Sequence, residues 1–152
     1  MPPLAQNKKA IFDYEILDKY EAGLVLYGHE VKAVKAGQAS LKGSFISLRT
    51  QKGKPELYLI NCQIPPYKQA GPLPAYDQRR ERKLLLKRQE IAHLLGKKQT
   101  EGLTLIPLKI YTKHSFLKLE FAVARGKKKY DKRETIKKRD IERRLRSLTK
   151  KS

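Results

Sequence analysis

The sequence predicts a mainly β chain: a small, mostly antiparallel barrel with two or three short flanking helices and a basic C-terminal tail. Two observations predict the barrel and a third predicts the tail. Six or seven short apolar runs carry strand character, and with two short helical segments interposed they show no regular strand–helix–strand alternation, which argues against a parallel sheet. Closing the sheet removes the exposed edges that so many apolar strands would otherwise present. Charge is distributed unevenly: thirteen Lys or Arg and four Asp or Glu fall in residues 126–152, close to half of a net +20 in under a fifth of the length. Like charge at that density opposes collapse onto a core, so the arm is expected to be largely disordered in isolation. The 152 residues suit one core. The expected division is a folded domain over 1–125 and a tail over 126–152.

Taken in order, the chain begins with a polar lead-in holding Asn7, Lys8 and Lys9, then alternates from Ala10, with Phe12, Tyr14 and Ile16 on one face and Asp13 and Glu15 on the other. That is the period of a half-buried strand. Residues 17–21 read as a polar bend and 23–27 as a second strand. Over 29–36 the period changes. Val31 and Val34 are three apart, Lys32 and Lys35 share another face, and Gly37 stands where a helix ends on a left-handed residue.

Residues 45–49 and 57–64 are strand-like, joined by a Lys-Gly-Lys-Pro segment that suits a hairpin. On the second, Leu57 and Leu59 face one way and Tyr58, Ile60, Cys62 and Ile64 the other, which places it in a covered or closed sheet. Pro65 and Pro66 stop it. Residues 67–81 have no period, and a loop of that length is functional or mobile. The run 82–86 is strand or the start of a helix, since periodicity cannot separate them. Ile91, Leu94 and Leu95 follow helical spacing up to a stop at Gly96. In the strand over 103–111, Pro107 removes one ladder donor and marks an edge or a bulge. Residues 112–115 turn the chain. The strongest strand is 116–125, with Leu117, Leu119, Phe121 and Val123 inward and Lys118 and Glu120 outward.

The tail has its own pattern. Asp131 and Glu134 resemble a capping box, and Ile141, Leu145 and Leu148 recur at four and three. A helix over 131–148 would be roughly 27 Å long at the usual rise per residue. Such an arm is expected to order when a polyanion neutralises it.

The net charge points to a polyanionic partner, nucleic acid rather than a membrane surface: no apolar run is long enough to span, and residues 1–14 lack the apolar stretch of a signal peptide. With a lone cysteine and no such leader, the expected location is the cytoplasm. Catalysis has little support. The phosphate-loop, dinucleotide, zinc-protease and paired-cysteine motifs are absent, and His29, His93 and His114 are scattered singly. No catalytic residue, metal or cofactor is assigned, and Cys62 reads as a core residue. Lys8, Lys9, Lys32, Lys35 and the 78–83 segment supply charge at several separated places, as tracking a folded RNA backbone requires. Glu21 and Glu30 balance charge, or accept hydrogen bonds from base amino or hydroxyl groups as no lysine can. Tyr67 and Tyr76 are candidate stacking residues in the long loop.

Several ordered stretches together resemble the SsrA-binding protein (small protein B) family of bacterial ribosome rescue. They are Asn7-Lys8-Lys9-Ala10, Tyr20-Glu21-Ala22-Gly23, Gly28-His29-Glu30-Val31-Lys32, Ala36-Gly37, Arg82-Lys83-Leu84-Leu85-Leu86, and Ala124-Arg125-Gly126-Lys127-Lys128 followed by Asp131-Lys132-Arg133. The resemblance implies an OB-like barrel. It implies a non-enzymatic adaptor that binds the tRNA-like domain of transfer-messenger RNA and delivers it to stalled ribosomes for trans-translation. The tail would turn helical in the empty mRNA channel near the small-subunit decoding region, and elongation factor Tu would be met through the RNA complex. The RNA-contacting positions of the family fall on Asn7, Glu21 and Leu85, with Lys83 adjacent, and Lys8, Lys32 and Lys35 join them through charge. The ribosome-contacting motif falls on Gly126, Lys127, Lys128, Asp131, Lys132 and Arg133. His29 departs from the Trp or Thr of many relatives. The alternative is a ribosomal protein whose tail threads rRNA permanently.

Overall fold

The computed structural model describes residues 3–101 and 103–126. Among them, seven strands form one antiparallel sheet in the order β1-β6-β7-β2-β5-β4-β3. The strands are β1 (Ala5–Gln6), β2 (Tyr14–Leu24), β3 (Phe45–Gln51), β4 (Lys54–Ile60), β5 (Arg82–Leu85), β6 (Thr104–Lys113) and β7 (Phe116–Gly126), and the helices are α1 (Lys8–Asp13), α2 (Gly28–Lys35) and α3 (Arg88–Glu101). The sheet curls so that β3, at one end of the order, packs against β6 near the other. Side chains from all seven strands meet in a single core with Phe121, Leu57, Leu59, Leu119 and Ile110 at its centre, each fully buried. Burying a Phe or Leu completely is worth about 1.5–3 kcal/mol, so this interior is the main source of stability.

The predicted alternation of 116–125 holds: Leu117, Leu119, Phe121 and Val123 all point into that core. Ala122 and Ala124 are buried too, on the opposite face. They lie in a second, smaller cluster with Ala10, Ile106 and Leu108, where α1 covers the outside of β6 and β7. The expected strand from Ala10 is therefore wrong over residues 10–13, which are the end of α1. Alternation at Phe12, Tyr14 and Ile16 concealed a six-residue helix because so short a helix shows less than two turns of period.

The polar bend expected at 17–21 is a bulge in one continuous strand. Pairing with β7 skips from Ile16 to Asp18 and leaves Leu17 as the extra residue. Pro107 marks a bulge as expected: the β6–β7 register skips between Pro107 and Lys109. The two-residue turn Lys52-Gly53, both with positive φ, joins β3 to β4. The expected split of faces along 57–64 fails after Ile60. Asn61 takes a left-handed φ of 61°, which shifts the alternation by one and brings Cys62 and Ile64 into the same core as Leu57 and Leu59. Helix α3 continues through Gly96 rather than stopping there. Helix α2 ends as expected, with Gly37 at φ 76°.

Most tail positions of the predicted ribosome-contacting motif, namely Lys127, Lys128, Asp131, Lys132 and Arg133, and the proposed helix over 131–148, lie outside the described residues. Gly126 lies within them, as the last residue of β7 paired with Tyr14.

Candidate nucleic-acid interface

Strand β5 settles the ambiguity of the 82–86 run. Its residues alternate, with Arg82 and Leu84 buried and Lys83 and Leu85 exposed. Leu85 is 54% exposed, so a leucine that composition assigns to the core stands on the surface. It faces Gly23 across the β2–β5 ladder. With no side chain at Gly23, a hollow of about 460 Å³ opens there, lined by Glu21, Gly23, Leu85, Leu86, Lys87 and Lys118 among others. On one side a smaller hollow runs between Leu85 and Phe116, the latter 69% exposed. On the other, Lys54, Lys83 and Arg88 border a cleft floored by Pro55, Leu84 and Ile91. Leu85 is thus an apolar ridge shared by three hollows, whose edges carry Lys54, Lys83, Lys87, Arg88 and Lys118 beside the carboxylates of Glu21, Glu56 and Glu90.

Glu21 is the anion in this setting. Tyr111 donates its hydroxyl hydrogen to Glu21 Oε2, and Lys113 Nζ lies 3.3 Å from Oε1. The Tyr111 hydrogen bond, with Lys113 beside it, holds the Glu21 carboxyl below the usual carboxylate range. Burial and the bond to Glu21 push the Tyr111 phenol up. At neutral pH the pair is therefore a charged carboxylate and a neutral phenol. The carboxylate is an acceptor with part of its surface open, a group suited to a base amino or ribose hydroxyl and unsuited to phosphate.

The structure brings Glu21 and Leu85 into one hollow and sets Lys83 at the rim of the next, 3.3 Å from Glu56. It does not bring the other predicted positions there. Asn7 and Lys8 line a separate hollow of about 300 Å³ with Lys9, Ser40 and Lys42. Asn7 is anchored by the β6 bulge: its backbone N–H donates to Leu108 O (2.7 Å) and its Nδ2 to Pro107 O (3.0 Å). Lys32 and Lys35 stand exposed on α2.

Two further expectations are corrected. The 78–83 segment is not a uniformly solvated basic face, because Arg82 is fully buried and Arg80 is bound to Glu30. Tyr76 is not free to stack on a base. Its hydroxyl lies 2.9 Å from Glu30 Oε2 and 2.8 Å from Ile64 O, and its ring meets His29 edge-on at 4.5 Å. Tyr67 packs against the rim of the core. Phe116 and Lys118 are surface residues that sequence reasoning passed over, although the alternation of 116–125 already placed both outward.

Behind the ridge lies a buried ionic cluster. Glu30, with no exposed surface, receives Arg82 Nε at 2.8 Å, Arg80 through Nε at 3.2 Å and through Nη2, and the Tyr27 backbone N–H at 2.8 Å. Burial works to raise its pKa, but the bonds from Arg80, the Tyr27 amide and Arg82 outweigh it and hold the carboxyl at about 2. Arg80 also stacks over the Tyr27 ring, 4.0 Å from its centroid. The cluster ties the long loop to α2. Cys62 is buried nearby, and burial pushes its thiol up to about 11. Among the described residues, no group of three His, Cys, Asp or Glu side chains is placed to hold a metal ion.

The SmpB protein family model matches residues 4–151 of this chain. Among curated relatives, the SsrA-binding protein of Gloeobacter violaceus is 53% identical over 147 residues, covering 94% of this chain and 93% of its own. That of Thermosipho melanesiensis is 49% identical over 151 residues, 99% of each chain. A chain from the solved structure "tmRNA-SmpB: a journey to the center of the bacterial ribosome" superimposes with a TM-score of 0.64 at 44% identity, covering 86% of this chain and 92% of that one. Similarity of this extent, along almost the whole length and on the same strand-rich fold, establishes that the chain belongs to the SmpB protein family.

Proposed function

We propose that this protein is a non-enzymatic adaptor that binds the tRNA-like domain of transfer-messenger RNA and brings it to stalled ribosomes for trans-translation. The observation that carries the reading is the hollow in which a charged Glu21 and an outward Leu85 sit with Lys87, Glu90 and Lys118, Lys113 lying 3.3 Å from the Glu21 carboxylate. Lysines neutralise phosphates without regard to sequence. An apolar ridge supports a base or sugar face, and a carboxylate accepts from the polar groups a folded loop presents, so together they select a shaped RNA. The names of the relatives and of the matched solved complex support the same partner.

In this reading Asn7, Lys8, Lys32 and Lys35 extend the basic surface, and the tail probes the ribosome. An mRNA in the channel would exclude the tail by filling its space, so vacancy is the signal. Elongation factor Tu would meet the protein only through the RNA. No helix among the described residues is long and apolar enough to cross a membrane.

Cross-linking in cells followed by sequencing of the attached RNA tests the proposal. Transfer-messenger RNA should dominate the recovered sequences, clustered in its tRNA-like domain. Co-sedimentation at one copy on all ribosomes would instead identify a permanent ribosomal protein.

A further inference from the structure

Strand β5 presents a problem of registration. It is only four residues long, Arg-Lys-Leu-Leu, and pairs with β2 through Leu84 and Leu85 and with β4 through Arg82, Lys83 and Leu84. In that string each face receives one cation and one leucine. A slip of a single residue moves every side chain to the other face, and on this strand the hydrophobic pattern barely opposes it. Inward Arg82 and Leu84 would be exchanged for inward Lys83 and Leu85, and Leu85 would leave the surface.

The two cations are not equivalent once buried. A guanidinium has five N–H donors in a planar fork, whereas an ammonium is a point charge with three. Every Arg82 donor has an acceptor in place. Nε bonds Glu30 Oε2 at 2.8 Å, Nη1 bonds Cys62 O at 2.6 Å and Arg80 O at 3.2 Å, and Nη2 bonds the Tyr76 hydroxyl and Gln78 O, each at 3.0 Å. Nη2 also lies 2.6 Å from Glu30 Oε2. A lysine at this place would leave several of these acceptors unpaired, and a buried acceptor without a partner is costly.

We propose that Arg82, seated on Glu30, sets the register of β5 and thereby turns Leu85 and Lys83 outward into the RNA-facing hollows. Arg82 and Glu30 are positioning residues: neither reaches the surface, and both act through Leu85. The inference rests on the proposed RNA-binding function for its consequence but not for its geometry.

The test is the swap Arg82→Lys with Lys83→Arg, which preserves composition and net charge. The full-length protein, labelled at leucine methyls, is studied by NMR with a soluble paramagnetic probe. In the natural sequence Leu85 methyls relax strongly and Leu84 methyls do not. In the swap the guanidinium seeks Glu30 from position 83, so Leu84 becomes the accessible residue and Leu85 the protected one. Affinity for a transcript of the tRNA-like domain then falls at least about tenfold. A folded swap that keeps Leu85 exposed overturns the proposal.

If the swap does not fold, the single change Arg82→Lys decides. It keeps the charge but leaves one lysine and one leucine on each face, so the string itself no longer prefers either register. Leu84 methyls then become accessible, Leu85 methyls become partly protected, and RNA affinity falls at least about threefold; a folded Arg82→Lys variant in which Leu85 alone stays exposed overturns the proposal. Failure of the natural protein to bind the transcript would reject the functional reading while leaving the methyl measurement to judge the register.

Discussion

Gly23 on β2 lies directly opposite Leu85 on β5, and a Cβ placed on Gly23 would stand 3.5 Å from the Leu85 Cβ and 3.8 Å from Lys118 Nζ. Those are ordinary contact distances, so the fold accepts a side chain there while the hollow does not. Gly23→Ala should leave stability unchanged or raise it by about 0.5–1 kcal/mol, because glycine in a strand costs chain entropy. Gly23→Val should fold as well and weaken binding of the tRNA-like domain by about tenfold, since its branches occupy the space beside Leu85. Thermal unfolding and a binding titration on the same samples separate the two effects.

Glu21→Ala adds a unit of net positive charge and should nevertheless weaken RNA binding. Losing hydrogen bonds to a charged acceptor costs about 1.5–3 kcal/mol, or roughly ten- to a hundredfold in affinity. The slope of log affinity against log salt should stay close to that of the natural protein, because no phosphate contact is removed. Tighter binding by the variant would mean that bulk charge governs recognition.

Glu30 gives the folded domain an acid-sensitive component. Its carboxyl is held at about 2 against a free value of 4.5, so the folded state binds this proton less readily than the unfolded chain. Its stabilisation is therefore complete above pH 4.5, declines as pH falls below that, and is gone near pH 2. Denaturant unfolding across this range should show the loss. Glu30→Gln should be destabilised at pH 7 by about 3–5 kcal/mol, as expected when a buried charge pair loses one partner, and should lack this component of the acid dependence.

Ending the chain at Gly126 preserves the β2–β7 ladder, since Gly126 still pairs with Tyr14. Affinity of the domain for the tRNA-like domain should stay within about threefold, while peptide tagging on stalled ribosomes in a reconstituted translation system should be abolished. Equal loss of both activities would refute the division between a gripping surface and a probing tail.

Cys62 should resist thiol reagents at pH 8 in the native protein. Its thiol is buried and held at about 11, which leaves almost no thiolate for attack. Labelling should become rapid only in denaturant, so its rate also reports global opening.

Much of the architecture was written in local patterns. Alternation named the inward residues of β7, the Pro107 bulge followed from a missing donor, and Gly37 ended α2, because period, N–H inventory and allowed φ are properties of a few neighbouring residues. The resemblance carried by short motifs located Glu21 and Leu85, and the fold then placed the two in one hollow. Where the reading failed, it failed for lack of period: α1 is too short to show one, and the left-handed turn at Asn61 shifts the alternation of Cys62 and Ile64 without any change in hydrophobicity.

The sequence by itself determined a strand-rich chain with its basic residues concentrated in the last 27 positions, since charge density and two-residue periodicity depend only on residue order. Tertiary structure decided which members of the charged and leucine runs are inside. Arg82 is buried and Leu85 exposed, the reverse of what their side chains prefer alone, because Glu30, 52 residues away in the chain, supplies the carboxylate that makes the exchange favourable.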